Sequence, residues 1–181
     1  MDFKLVLEKI LTAFKEADIR YAMMGAVALG AWGIPRATVD IDFLVQRDDI
    51  EKVQRIMTDM GYECHYKTEN VSQYISPLKI FGEVDFIHAF RDASLGMFQR
   101  AEDKDVLDGI TVRVLKPEDL IGFKIQAIAN NESRKNMDIA DIESLMERFK
   151  DSLDWSLIED YFKLFDFEEL LRELKERYGI A

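Results

Sequence analysis

Apolar residues at Phe3, Val6, Leu7, Ile10, Leu11 and Phe14, with charged residues between them, predict an amphipathic helix over 3–17. A short strand at 21–24 runs into Gly25, and the small-residue run 26–32 predicts a tightly packed helix ended by Gly33-Ile34-Pro35. Residues 39–45 alternate as a strand, and 48–60 predict a second amphipathic helix closed by Gly61. Further strands are expected at 63–66, 71–76, 79–81, 83–88 and 111–115, with a helix over 93–102. Pro117 suits the first turn of a helix, and Glu118 and Asp119 beside it complement the dipole there. From that point the pattern predicts helices at 117–130, 135–149, 155–163 and 167–178. The expected fold class is α/β (α+β): a small mixed sheet flanked by helices over residues 1–115, then a helical C-terminal region over 116–181 packed on that core.

Composition narrows the setting. The chain has 181 residues, 48% apolar and 33% charged, which is ordinary for a globular protein. Its net charge of −11 disfavours an extended groove for duplex DNA, which needs clustered Lys and Arg. The single Cys64 excludes an internal disulfide framework and suits a reducing compartment. No apolar run approaches the ~20 residues that span a bilayer. Met1-Asp2-Phe3-Lys4 opens a helix rather than a signal peptide, so a soluble, cytoplasmic protein without membrane contact is expected.

The chemistry begins in Val39-Asp40-Ile41-Asp42-Phe43-Leu44-Val45. Side chains alternate along a strand, so Asp40 and Asp42 point one way while Val39, Ile41, Phe43 and Val45 point the other. Two adjacent carboxylates repel unless a cation sits between them, and a hard divalent ion such as Mg²⁺ or Mn²⁺ fits oxygen ligands. With 35 acids in the chain, roughly half a dozen acid-x-acid triplets arise by chance. The apolar strand context distinguishes this one, against the alternative of a polar edge-strand face. A second strand carries Glu83-Val84-Asp85-Phe86-Ile87. Paired beside the first with matching orientation, it would bring Asp85 to Asp40 and Asp42, the carboxylate set of a two-metal phosphoryl displacement. Glu83 shares that face and is the rival ligand. Gly25 before a helix lets backbone N–H groups approach a phosphate, although any strand-to-helix turn favours glycine. His65 and His88 lack partners at metal-ligand spacing; His88 would line the site if its strand ended after Asp85. Met23, Met24, Trp32, Trp155, Phe162, Phe165 and Phe167 read as core.

Gly25-Ala26, then Gly33-Ile34-Pro35-Arg36-Ala37-Thr38 leading into Asp40-Ile41-Asp42, then Asp85, resemble the nucleotidyltransferase superfamily with its DNA polymerase β-type core. The pattern from Pro117-Glu118-Asp119-Leu120-Ile121 through Lys124, Ala127, Arg134-Lys135 and Asp138 to Asp141-Ile142 is similar to the AbiEii toxin-like branch. The likeness covers roughly residues 20–145. It implies that Asp40 and Asp42 bind Mg²⁺, and that Asp85 binds the catalytic ion and helps activate the acceptor hydroxyl. It further implies that Lys124 reaches the triphosphate, and that Arg36 and Thr38 brace the loop or touch phosphate. Arg36 reads equally as a structural salt bridge. Lys135, Asp138 and Asp141, at helical spacing, read equally as ties within a helix pair. The family usually has Gly or Ser after the first glycine; Ala26 keeps the N–H but lacks the hydroxyl.

The leading expectation is metal-dependent transfer of NMP from an NTP to a hydroxyl acceptor, with release of pyrophosphate. The acceptor would be an RNA end such as tRNA, a protein, or a small molecule such as an aminoglycoside. The rival reading is a non-catalytic module of a toxin–antitoxin or regulatory system, with a cognate antitoxin as partner; Ala26 favours it. A metal-dependent phosphohydrolase is a third reading, weakened by the lack of a histidine-rich ligand set.

Overall fold

A computed structural model describes residues 1–107 and 109–179. The chain divides into two compact units, Met1–Leu115 and Lys116–Ala181.

The first unit contains, in chain order, α1 (Phe3–Glu16), β1 (Tyr21–Met24), α2 (Gly25–Ala31), β2 (Asp40–Gln46) and α3 (Ile50–Asp59). There follow β3 (Glu63–Lys67), β4 (Val71–Ile75), β5 (Glu83–Ala89), α4 (Asp92–Arg100), β6 (Glu102–Leu107) and β7 (Ile110–Val114). The strands form one mixed sheet in the order β3-β4-β5-β2-β1-β7-β6. The β2–β5 and β1–β7 pairs are parallel and the remaining neighbours antiparallel. The mixed α/β class expected from the sequence is the class observed.

Helix α1 forms because Asp2 caps it, accepting from the Leu5 N–H at 3.1 Å, and because Val6, Leu7, Ile10 and Phe14 bury one stripe. Phe14 meets the rings of Tyr21, Phe43 and Phe86 at centroid distances of 5.4, 5.7 and 6.2 Å. Phe43 and Phe86 are register partners on neighbouring strands and stack at 5.8 Å. Tyr74 meets Phe86 edge-on at 5.6 Å. This face of the sheet is therefore an aromatic core, each ring adding about 0.5–1.5 kcal/mol of pair energy beyond its burial. Alternation then places Asp40, Asp42 and Asp85 on the opposite face, anchored by strands that cannot slip register without exposing that core.

The structure departs from the sequence pattern at three places. Val39 is 77% exposed and precedes the strand, which begins at Asp40. Residues 79–81 form a turn rather than a strand: the Phe81 N–H donates to Leu78 O, Gly82 takes φ +63°, and Leu78 and Ile80 are exposed. The helix expected over 93–102 ends at Arg100, and Glu102–Leu107 is a strand that the sequence reading missed. Its run Glu-Asp-Lys-Asp gives no apolar alternation, because an edge strand has little to bury.

The second unit consists of α5 (Pro117–Asn130), α6 (Lys135–Phe149), α7 (Trp155–Leu164) and α8 (Glu168–Tyr178). Helix α5 packs on α6 and α7, and α8 packs on the same two. At Gly122 a Cβ would come within 2.8 Å of the Tyr161 ring, so glycine lets α7 close on α5. Buried acids in the first turn of α5 fix the contact. The Tyr161 hydroxyl donates to Asp119 Oδ1 at 2.7 Å, and the Asp154 N–H donates to Glu118 Oε1 at 2.9 Å. Among the described residues no helix is long and apolar enough to cross a membrane.

Candidate functional site: a carboxylate triad on the sheet

The parallel β2–β5 register sets Asp42 opposite Asp85 and Asp40 opposite Glu83. One carboxylate oxygen each from Asp40, Asp42 and Asp85 lies within 4.8 Å of the other two. Like charges at that separation repel by about 3 kcal/mol per pair at an effective dielectric near 20. Asp85 shows the cost directly. Its Oδ1 is buried with no hydrogen-bond partner among the described residues. Desolvation and the neighbouring Glu83 push its pKa up to about 6; Asp40 adds to this, and the Gln73 amide partly offsets it. Three half-buried aspartates, one of them with a carboxylate oxygen left unpartnered, fit a hard divalent cation.

Gly25 and Thr38 build the walls. Gly25 has φ +67°, and a Cβ there would lie 1.8 Å from Asp42 Oδ2, so any side chain would displace that carboxylate oxygen. Gly25 opens α2, whose N-cap residue Met24 offers no side-chain acceptor. Ala26 follows in the first turn. The Thr38 hydroxyl donates to Asp40 Oδ1 and fixes that carboxylate's rotamer. Arg36 is partly buried in the loop between α2 and β2.

Residues 3–174 match the protein family described as "Uncharacterised nucleotidyltransferase". The chain belongs to this nucleotidyltransferase family. Among solved structures it is similar to the antibiotic-resistance factor ANT(2'')-Ia in solution, with TM-score 0.70 and 16% identity over 98% of this chain and 100% of that one. Crystalline ANT(2'')-Ia in complex with adenylyl-2''-tobramycin gives TM-score 0.64 and 15% identity, over 90% and 95% of the two chains. The lincosamide antibiotic adenylyltransferase LnuA, lincomycin-bound, gives TM-score 0.52 and 14% identity, over 77% and 94%. At these identities the likeness shows a shared fold. No curated protein sequence matches the chain.

In this nucleotidyltransferase the other singled-out residues have the following surroundings. Lys124 lies in the second unit, where its Nζ sits 2.8 Å from Asp138 and 2.5 Å from Asp141, both buried. Arg134 Nε reaches the other Asp138 oxygen at 3.0 Å. Asp138 and Asp141 thus tie α5 to α6, while Lys135 is exposed. His88 does not line the site. The strand continues to Ala89, so a residue three places after Asp85 points to the opposite face. There His88 is buried between Ser72 Oγ at 2.9 Å and the Glu69 carbonyl at 3.0 Å, and burial lowers its pKa. His65 is on the surface. Met23 and Met24 are buried as expected, and Phe162 is fully buried, whereas Trp32, Trp155, Phe165 and Phe167 are half-buried.

Sequence reasoning overlooked one neighbour of the triad. Gln73 on β4 stands opposite Asp85, and its amide donates to Glu83 Oε1 at 2.5 Å. Carrying the alternation one strand further, from 83–87 to 71–75, would have placed Gln73 on the acidic face.

Proposed function

We infer that the protein moves a nucleoside monophosphate from an NTP to a hydroxyl on a small-molecule acceptor, releasing pyrophosphate. The observation that carries this reading is the triad: three aspartates that each bring one oxygen within 4.8 Å of the others, among them Asp85 with a buried, unpartnered Oδ1, beside a glycine that tolerates no side chain. Asp40, Asp42 and Asp85 would hold a divalent cation, Mg²⁺ or Mn²⁺, which neutralises phosphate charge and eases loss of the acceptor proton. Asp85, beside that cation, would be placed to receive the proton as the acceptor oxygen bonds to the α-phosphorus. The bond from the α-phosphorus to the bridging oxygen then breaks, and pyrophosphate leaves with the electron pair. Gly25 and Ala26 offer first-turn N–H groups to phosphate oxygens, and Arg36 and Thr38 brace the loop beside them. A role for Lys124 at the triphosphate requires its Nζ to share itself between phosphate and the Asp138–Asp141 pair.

A small-molecule acceptor is supported by the near-complete overlap with ANT(2'')-Ia, seen with an adenylylated tobramycin, and by the net charge of −11, which disfavours a polyanionic acceptor. Placement in the AbiEii toxin-like branch, with an antitoxin partner, is supported by the residue pattern from Gly25 to Asp85 and by that of the second unit. The free, exposed thiol of Cys64 supports a reducing, cytoplasmic setting. Ala26 is the observation behind a second reading, a fold that binds partners without catalysis.

Each α-labelled NTP, with Mg²⁺ or Mn²⁺, can be offered with aminoglycoside, lincosamide, RNA and protein acceptors. Transfer of label to a small molecule, lost in Asp42→Asn, is the expected result. No transfer to any acceptor, together with no metal-dependent rise in Tm on adding NTP, overturns the reading and favours the non-catalytic one.

A further inference from the structure

The acidic face carries a block of four carboxylates, not three. Asp42 and Asp85 form one cross-strand pair, and Asp40 and Glu83 form the next. Directly opposed side chains on paired strands lie about 5 Å apart at Cβ, so all four belong to one patch. Glu83 has the longest side chain of the four and the widest reach, yet only the three aspartates bring their oxygens within 4.8 Å of one another. The reason lies on the next strand. Gln73 on β4 is the register partner of Asp85 and sits diagonal to Glu83, and its Nε2 donates to Glu83 Oε1 at 2.5 Å. That bond draws the glutamate toward β4 and away from β2, where Asp40 and Asp42 stand. Beside it, Asp85 Oδ1 remains buried without a hydrogen-bond partner among the described residues.

We propose that Gln73 is a positioning residue that keeps Glu83 out of the cation site, making it a three-carboxylate rather than a four-carboxylate centre. The proposal rests on the reading of Asp40, Asp42 and Asp85 as a divalent-cation site. Its chemical consequence concerns charge. Three carboxylates around divalent ions leave room for an anionic triphosphate as further ligand, whereas a fourth would compete with the phosphate oxygens for the same cation. Neutral and amide-bearing, Gln73 holds the surplus acid by a hydrogen bond without adding charge of its own. Glutamate or lysine at this position could not do both.

Mn²⁺ binding to the full chain without nucleotide, followed by the electron-spin signal of the free ion, tests this directly. Gln73→Met keeps the shape and removes the donor. It is expected to tighten Mn²⁺ binding about tenfold, within the coupling that contacting residues show. Glu83→Gln is expected to leave the wild-type affinity within about twofold and to cancel the gain in the double variant. In the same proteins, Gln73→Met should raise the KM for NTP more than it lowers kcat, and the double variant should restore it. Equal Mn²⁺ affinity in wild type and Gln73→Met overturns the proposal. So does a loss of affinity in Glu83→Gln as large as that in Asp85→Asn, an outcome readable even where Gln73→Met fails to fold. Wild-type protein that binds no Mn²⁺ sinks the cation site itself, and the proposal with it.

Discussion

Gly25 and Asp42 compete for one volume. A Cβ at Gly25 would overlap Asp42 Oδ2 at 1.8 Å, and φ +67° adds about 1–2 kcal/mol of backbone strain for any other residue. Gly25→Ala is therefore expected to abolish metal-dependent Tm shifts and transferase activity together, while circular dichroism shows the sheet still folded. Asp85 carries the second residue-scale prediction. Its folded-state value of about 6 lies above the usual 3.8, so its favourable contribution to folding is complete below pH 3.8 and is lost as the pH rises through 6. Above that, the ionised group destabilises the cation-free protein, by about 1 kcal/mol once solvent screening of a half-buried group is allowed for. Asp85→Asn should thus raise the cation-free Tm at about pH 7.5 by about 2–4 °C and lose the further rise that Mg²⁺ gives the wild type. An unchanged Tm in the variant counts against the burial argument. The three aspartates were legible in the sequence because an acid inside an apolar alternation is conspicuous. Gln73 was not, because its importance lies in a cross-strand diagonal that no single segment displays.

At the scale of elements, what was legible followed the strength of the periodic signal. Strand β2 and helix α1 each bury one stripe, and the period of that stripe fixed their type within a residue or two. Strand β6 buries little and sits at the sheet edge, so its sequence reads as a charged turn. Residues 79–81 failed in the opposite sense: Leu78, Ile80 and Phe81 supply apolar character, but Pro77 and Gly82 close a loop around them. In the second unit a buried charge has a structural tie that the sequence pattern also allowed. Lys124 was singled out for phosphate, yet it also joins α5 to α6 through Asp138, which is fully buried. Removing one partner of a buried pair costs about 3–5 kcal/mol, because the remaining charge stays desolvated. Lys124→Met is therefore expected to lower the urea midpoint of the chain with its m value unchanged, whatever it does to nucleotide affinity. A wild-type midpoint would show that Asp138 and Asp141 are satisfied without it.

For the molecule as a whole, the surplus of acids sets the terms on which an acceptor arrives. With 24 Lys and Arg against 35 Asp and Glu, the long-range field attracts cations and repels polyanions, and it is screened over about 8 Å at physiological salt. On the proposed reading the same field would concentrate divalent cation near the triad and work against the nucleotide, whose binding would come from local N–H donors and the cation. A small acceptor bearing several ammonium groups gains from this field, while an uncharged polyol does not. The expected signature is in steady-state kinetics: KM for a polyamine acceptor rises several-fold between low and physiological ionic strength, with kcat steady, while KM for the polyol stays flat. Steering acts on encounter and binding, not on the chemical step, which is why the change belongs in KM. A flat profile for the polyamine would mean that acceptor recognition is local and that the net charge of −11 serves solubility alone.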